Sequence, residues 1–133
     1  MADKYDLVIR GGKVFTPSGV SEVDVAVAGG RIVAFGDFAN TQALEVIDAQ
    51  GLHVLPGVID TQVHFREPGL EYKEDLASGT AGAALGGVTA VFEMPNTNPS
   101  TTTAEALNDK LDRATGRAWC DHAFLIGAAK ENL

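Results

Sequence analysis

The sequence predicts an α/β protein in two parts: a small β domain over residues 1–55, then strands alternating with helices over 56–133. Three observations carry this. Short runs of β-branched and aromatic residues, joined by Gly-Gly, fill the first part. From Pro56 the pattern changes to apolar strand, helix-spaced stretch and strand again. At that change stands V-I-D-T-Q-V-H-F-R-E-P-G, Val58–Gly69, in which polar residues recur at every second position.

In the first part, Tyr5–Arg10 and Lys13–Thr16 flank Gly11-Gly12, and Glu22–Ala28 and Arg31–Gly36 flank Gly29-Gly30. Glycine adopts positive φ without a Cβ clash, so both links are expected to close tight hairpins. The two hairpins echo one another but are too few for a repeat architecture. Leu44–Ile47 and Leu52–Leu55 read as two more strands around the turn-like Asp48–Gly51.

In the second part, side chains of an extended Val58–Gly69 segment alternate between faces. Asp60, Gln62, His64 and Arg66 are expected on one face, and Ile59, Thr61, Val63 and Phe65 on the other. A merely solvated polar face would show the same alternation, but such faces usually carry Lys, Glu and Thr. Lys73–Leu85 reads as a helix stopped by Gly86-Gly87. Val88–Glu93 follows as a strand ending in M-P-N-T-N-P. The next helix is expected from Thr102, because Thr102 and Glu105 have capping-box spacing, and to stop at Gly116. Trp119–Ile126 reads as a third strand, and Gly127–Leu133 starts something unfinished. Three strands alternating with two helices argue for a parallel sheet of βα units.

Composition narrows the function classes. The 133 residues are 45% hydrophobic and 21% charged, which is globular rather than disordered. Ten basic against 18 acidic residues give a net charge of −8, which disfavours nucleic acid and anionic membrane as partners. The single Cys120 rules out a disulfide within one chain and favours a reducing cytoplasm. The start, M-A-D-K-Y-D-L, lacks a secretory pattern.

P-G-V-I-D-T-Q-V-H-F-R-E-P-G, then K-E-D at the following helix, A-L-G-G-V-T and E-M-P-N-T-N-P together resemble the amino-terminal part of a dihydroorotase of the amidohydrolase superfamily. Residues 5–55 resemble that superfamily's small β domain, part of a composite β-sandwich. The resemblance implies the first three βα units of a TIM-type (β/α)8 metal-dependent hydrolase barrel, whose full form takes about 250 residues. The chain is therefore expected to be an inactive fragment of a longer cytoplasmic enzyme, with no catalytic acid or base of its own.

In that family the first barrel strand carries a His-x-His pair that ligates zinc, and the matching positions are Gln62 and His64. An imidazole is a good zinc ligand and an amide oxygen a weaker, harder one, so one or two Zn2+ ions are implied with Gln62 a doubtful ligand. Gln62 either ligates weakly, bonds a metal-held water, or marks a site with fewer metals or none. Arg66 matches the arginine that grips the substrate carboxylate with its guanidinium fork, and Asn96 a second carboxylate-binding residue. The plainer alternatives are an ion pair of Arg66 with Glu67 or Glu71 and a turn-forming Asn96. Asp60 is read as orienting His64 or the strand end rather than as a ligand.

His53 and His122 have no partner at metal-site spacing and are read as structural. Cys120 and Trp119 are read as core.

The implied reaction interconverts dihydroorotate and N-carbamoyl-L-aspartate in pyrimidine synthesis. The implied partners are a second copy of the chain and, in the alternative of a non-catalytic relative suggested by Gln62, aspartate transcarbamoylase. An allantoinase or hydantoinase is the other enzyme alternative. Arg66 and M-P-N-T-N-P argue against it, since those substrates lack the dihydroorotate carboxylate.

Overall fold

A computed structural model describes residues 5–130 and 132. The opening M-A-D-K, read above for a targeting signal, and Glu131 and Leu133 of the unfinished end lie outside them. The chain divides into two compact units, Met1–Pro56 and Gly57–Leu133. Among the described residues no helix is long and apolar enough to cross a membrane.

The first unit is all β. Strands β1 (Tyr5–Arg10), β4 (Asp24–Ala28), β5 (Arg31–Gly36) and β6 (Ala43–Asp48) form one sheet in the order β5-β4-β1-β6. Strands β2 (Lys13–Thr16), β3 (Gly19–Glu22) and β7 (His53–Val54) form a second, ordered β3-β2-β7. Buried Tyr5, Val8 and Ala26 make the core of the larger sheet, and Phe38 meets Tyr5 edge-on at 5.4 Å.

The two Gly-Gly links part company here. Gly29 and Gly30, both at positive φ, close the expected β4–β5 hairpin. Gly11-Gly12 instead carries the chain from one sheet into the other. β1 already has β4 on one side and β6 on the other, so β2 pairs with β3 and β7. Gly12 is also needed for space, since a Cβ there would lie 2.6 Å from the Val54 side chain. One dipeptide thus serves two geometries, decided by which strand edges are vacant.

The second unit runs β8 (Val58–Val63), α1 (Leu76–Leu85), β9 (Val88–Glu93), α2 (Ala104–Ala114) and β10 (Asp121–Phe124). The strands are parallel in the order β10-β9-β8. Phe65, Leu76, Val91 and Ala114 form the buried core between sheet and helices. The fold is α/β with strands predominating.

Both helices begin later than their patterns suggest. α1 starts at Leu76, because Asp75 rather than an earlier residue caps it: its carboxylate accepts from the Ser78 N–H, and Ser78 reciprocates. Lys73 and Glu74 precede the helix. α2 is capped by Thr103, whose hydroxyl accepts from the Ala106 N–H, so the Thr102/Glu105 box does not form. Gly87 and Gly116 follow the helices at positive φ, as the stops require. Trp119 is 71% exposed, not core, because the third strand begins only at Asp121. Cys120 does pack against the core cluster, and burial pushes its thiol pKa up.

Candidate functional site

The loops that follow β8, β9 and β10 meet at the carboxyl end of the parallel sheet, the end at which α/β proteins place ligands. They are stitched together by the main chain. The Met94 N–H donates to the Val63 carbonyl at 3.0 Å, the Asn98 N–H to Pro68 at 2.9 Å, and the Leu125 N–H to Glu93 at 3.0 Å. The first two loops touch so closely that a Cβ on Gly69 would lie 1.9 Å from the Asn98 carbonyl oxygen. Gly69 also stands at φ 91°, where other residues are strained.

The expected alternation of polar residues does not run through to Arg66. β8 ends at Val63, its pairing with β9 shifts register between Asp60 and Val63, and Arg66 adopts φ 67°. A strict period of two needs an unbroken ladder, and this one is interrupted. His64 and Arg66 therefore belong to the loop.

His64 is half-buried, and its Nδ1 lies 2.7 Å from Oδ1 of Asn96. An amide oxygen can only accept, so Nδ1 is the donor, and in the neutral imidazole Nε2 then holds the lone pair. Among the described residues Nε2 makes no hydrogen bond, and neither does Nδ2 of Asn96. Asn96 thus spends its oxygen on His64 rather than on a turn. Asp60, a candidate for orienting His64, instead accepts from the Gln62 N–H at 3.0 Å and so braces the strand end. Gln62 is exposed and its side chain has no partner among the described residues.

The guanidinium of Arg66 makes no ion pair or hydrogen bond among the described residues. Its plainer expected partners are engaged elsewhere. Glu67 receives a fork from Arg117 at 2.7 and 3.1 Å and the Leu76 N–H at 3.0 Å, and Glu71 takes the Gly69 N–H. Burial would raise the Glu67 pKa, but the Arg117 hydrogen bonds, the Leu76 N–H and the charges of Arg117 and Arg113 outweigh it and hold it below the usual glutamate range.

Beneath the Asn96 loop lies a second ion pair, with both partners buried. Lys110 of α2 and Glu93, the last residue of β9, are 0% and 1% exposed and lie 2.5 Å apart. Lys110 also donates to the Met94 carbonyl at 3.1 Å. Burial pushes the Glu93 pKa up, with Lys110 opposing it only in part.

A family profile described as dihydro-orotase-like matches residues 51–132. The chain belongs to the dihydro-orotase-like family. Over 130 residues it is 42% identical to an allantoinase of Desulfitobacterium hafniense (strain Y51) and 40% identical to one of Salmonella newport (strain SL254), in each case 97% of this chain. It spans 29% and 28% of those two proteins.

Among solved structures, the L-hydantoinase (dihydropyrimidinase) of Arthrobacter aurescens superposes with a TM-score of 0.88 at 32% identity, over 96% of this chain and 29% of that one. A dihydropyrimidinase of Brevibacillus agri gives 0.78 at 34% identity, over 93% and 28%. These matches set the chain beside proteins named allantoinase, hydantoinase and dihydropyrimidinase. The names of these relatives favour the allantoinase or hydantoinase side of the expected chemistry over dihydroorotase itself.

Dihydro-orotase-like proteins imply a divalent metal, and His64 fits one: its outer nitrogen has no partner among the described residues, and its inner nitrogen is anchored, as in metal-ligating histidines. The described residues contain no group of three or more His, Cys, Asp or Glu that could hold a metal by themselves. His53 lies obliquely against the Phe15 ring and His122 against the Phe124 ring.

The Glu67–Arg117 and Glu93–Lys110 pairs were not singled out by sequence reasoning. One signal was available: Lys110 falls among Leu107, Leu111 and Ala114 on the apolar face of its helix, where a lysine needs a buried partner. A groove of about 810 Å3 lies elsewhere, among Val88, Thr89, Thr115, Trp119 and Asp121 at the strand starts. It contains none of the residues around His64.

Proposed function

We propose that the full-length protein is a metal-dependent hydrolase that opens a cyclic amide ring of the allantoin or hydantoin type. The observation that carries the hydrolase reading is the His64–Asn96 hydrogen bond, which anchors Nδ1 and turns a partnerless Nε2 to the carboxyl end of a parallel sheet. The relatives' names support the ring class. In the reaction water adds across the ring amide, the C–N bond breaks, and a carboxylate and a free ureido N–H result. A divalent metal, zinc being the best match to an imidazole, would supply an acidified water and polarise the carbonyl. His64 would hold it, Asn96 would fix the His64 tautomer, and Asp60 would keep the strand end in shape. The (β/α)8 barrel, whose remaining strands would complete the ligand set, is part of this proposal. So are a homodimer and a cytoplasmic setting.

One observation favours a second reading. Among the described residues Arg66 presents an unpaired guanidinium, and Nδ2 of Asn96 is an unspent donor nearby in the same loop cluster. That pair suits a ring bearing a carboxylate, as dihydroorotate does. Association with aspartate transcarbamoylase goes with this reading.

Parallel turnover assays on the full-length protein separate the two. Hydrolysis of allantoin or a hydantoin without inhibition by orotate supports the first. Turnover of dihydroorotate, blocked by orotate and reduced about 100-fold in Arg66→Ala, supports the second (about 2.7 kcal/mol of transition-state binding). A protein that holds no metal and opens none of these rings overturns both and leaves the non-catalytic alternative.

A further inference from the structure

We propose that the buried Lys110–Glu93 pair is a positioning device that fixes the Met94 carbonyl and thereby holds Asn96 against His64. It rests on the reading of His64 and Asn96 given above, which it deepens: a helix residue with no access to solvent would set which imidazole nitrogen carries the proton.

The case begins with energetics. Burying two charges costs several kcal/mol per ion before their attraction is counted, and well-packed apolar residues often replace such a pair without loss of stability. Stability alone is therefore a weak reason for an ion pair at 0% and 1% exposure. Its location supplies a stronger one. Every handle on the turn out of β9 is occupied. The Glu93 carbonyl accepts from Leu125, the Met94 N–H donates to Val63, and both the Glu93 carboxylate and the Met94 carbonyl are held by the one Lys110 ammonium. The first two bonds belong to the sheet and would form at any parallel strand end. The Lys110 bonds are the additional ones, and Lys110 is the sole partner of the Met94 carbonyl among the described residues.

Asn96 lies two residues further on and reaches His64 at 2.7 Å. Releasing the Met94 carbonyl would free the peptide that aims Pro95 and Asn96. Lys110 does not touch His64, and the ammonium is penned in further by the Phe124 ring at 5.5 Å. It acts through the loop and is a positioning residue, not a catalytic one.

The test uses full-length protein labelled with 15N-histidine. Wild type is expected to show a His64 Nδ1 proton protected from exchange, and Asn96→Ala to lose it. Lys110→Met combined with Glu93→Gln, which leaves no buried net charge, is expected to lose it too. Its kcat is expected to fall about 10-fold, within the range seen when a residue supporting a ligating histidine is removed, with KM little changed. If that variant fails to fold, Lys110→Met with Glu93→Leu, an apolar pair, answers the same question. A folded variant of either kind that retains the protected Nδ1 proton overturns the inference. Loss of the proton in all variants with turnover untouched leaves the inference standing and overturns the functional reading instead.

Discussion

Two adjacent loops at one end of the same sheet are each held by a buried glutamate, and the two glutamates live in opposite electrostatic worlds. Glu67, 3% exposed, is surrounded by donors: the Leu76 N–H, the Arg117 fork and, at 3.7 Å, Arg113. Its cations are 39% exposed, so they keep most of their hydration while neutralising it. Glu93 has one ammonium, itself fully buried, and its Oε1 is left with no hydrogen bond, the Phe65 N–H favouring its ionised form only slightly. Burial wins at Glu93 and loses at Glu67, and the pKa shifts go in opposite directions. Glu93 lies deeper and has fewer donors, and both differences drive the two shifts apart. Lys110 and Arg113 both stand on α2 and Arg117 just beyond its end, so one helix clamps both loops.

The most damaging way to break this arrangement is to separate the loops themselves. Gly69→Ala would press a methyl into the Asn98 carbonyl at 1.9 Å and strain a residue at φ 91°. Nothing flexible lies there to give way. Denaturant unfolding of the full-length variant is expected to show a loss of about 4 kcal/mol or more, or no folded protein.

Removing one cation from each pair sharpens the contrast. Lys110→Ala strands a buried carboxylate and is expected to cost about 3–5 kcal/mol. Arg117→Ala leaves Glu67 with Leu76 and Arg113, and its half-exposed partner was already screened, so about 1 kcal/mol is expected. Equal losses in the two variants would show that the donor count does not matter.

Acid separates the two carboxylates by sign. Glu67, with its pKa lowered on folding, contributes stability that is present above the usual glutamate range and is lost as pH falls through its folded value. Glu93, with its pKa raised, binds its proton more tightly in the folded state. Its ionisation therefore costs stability as pH rises from the usual range through the raised value. Stability measured against pH in Glu67→Gln should lose part of the acid-side decline, and in Glu93→Gln should lose part of the decline on the other side. Two variants with the same profile would sink the assignment.

How far the sequence discloses all this depends on whether a feature is local. The strands β8 and β9 follow from β-branched runs, and the stops at Gly87 and Gly116 from glycine's access to positive φ. His64, Arg66 and Asn96 stand out because polar residues interrupt apolar strand ends. The Gly11-Gly12 crossing does not stand out, because the dipeptide is identical to a hairpin turn and only the occupied edges of β1 tell them apart. Glu67 and Arg117 are 50 residues apart, and no spacing rule links them. The break in alternation after Val63 is equally hidden, since it arises in the register with β9. Trp119 is exposed against expectation, because apolar character alone does not say which surface, if any, covers a residue.

The gentlest perturbation acts on the shared helix. Thr103 caps α2 by accepting the Ala106 N–H at 3.2 Å, about two turns before Lys110 and further still from Arg113. Thr103→Ala should cost about 1 kcal/mol, as lost caps do. Because a missing cap frays mainly the first turn, amide exchange should quicken at Glu105–Leu107 and leave the turn holding Lys110 and Arg113 unchanged. If exchange quickens equally in the Met94–Asn96 loop and the Glu67 loop, the helix moves as one clamp. Quickening in the Asn96 loop alone would mean that Lys110, nearer the frayed end and without a second donor to share its task, is the weaker of the two holds.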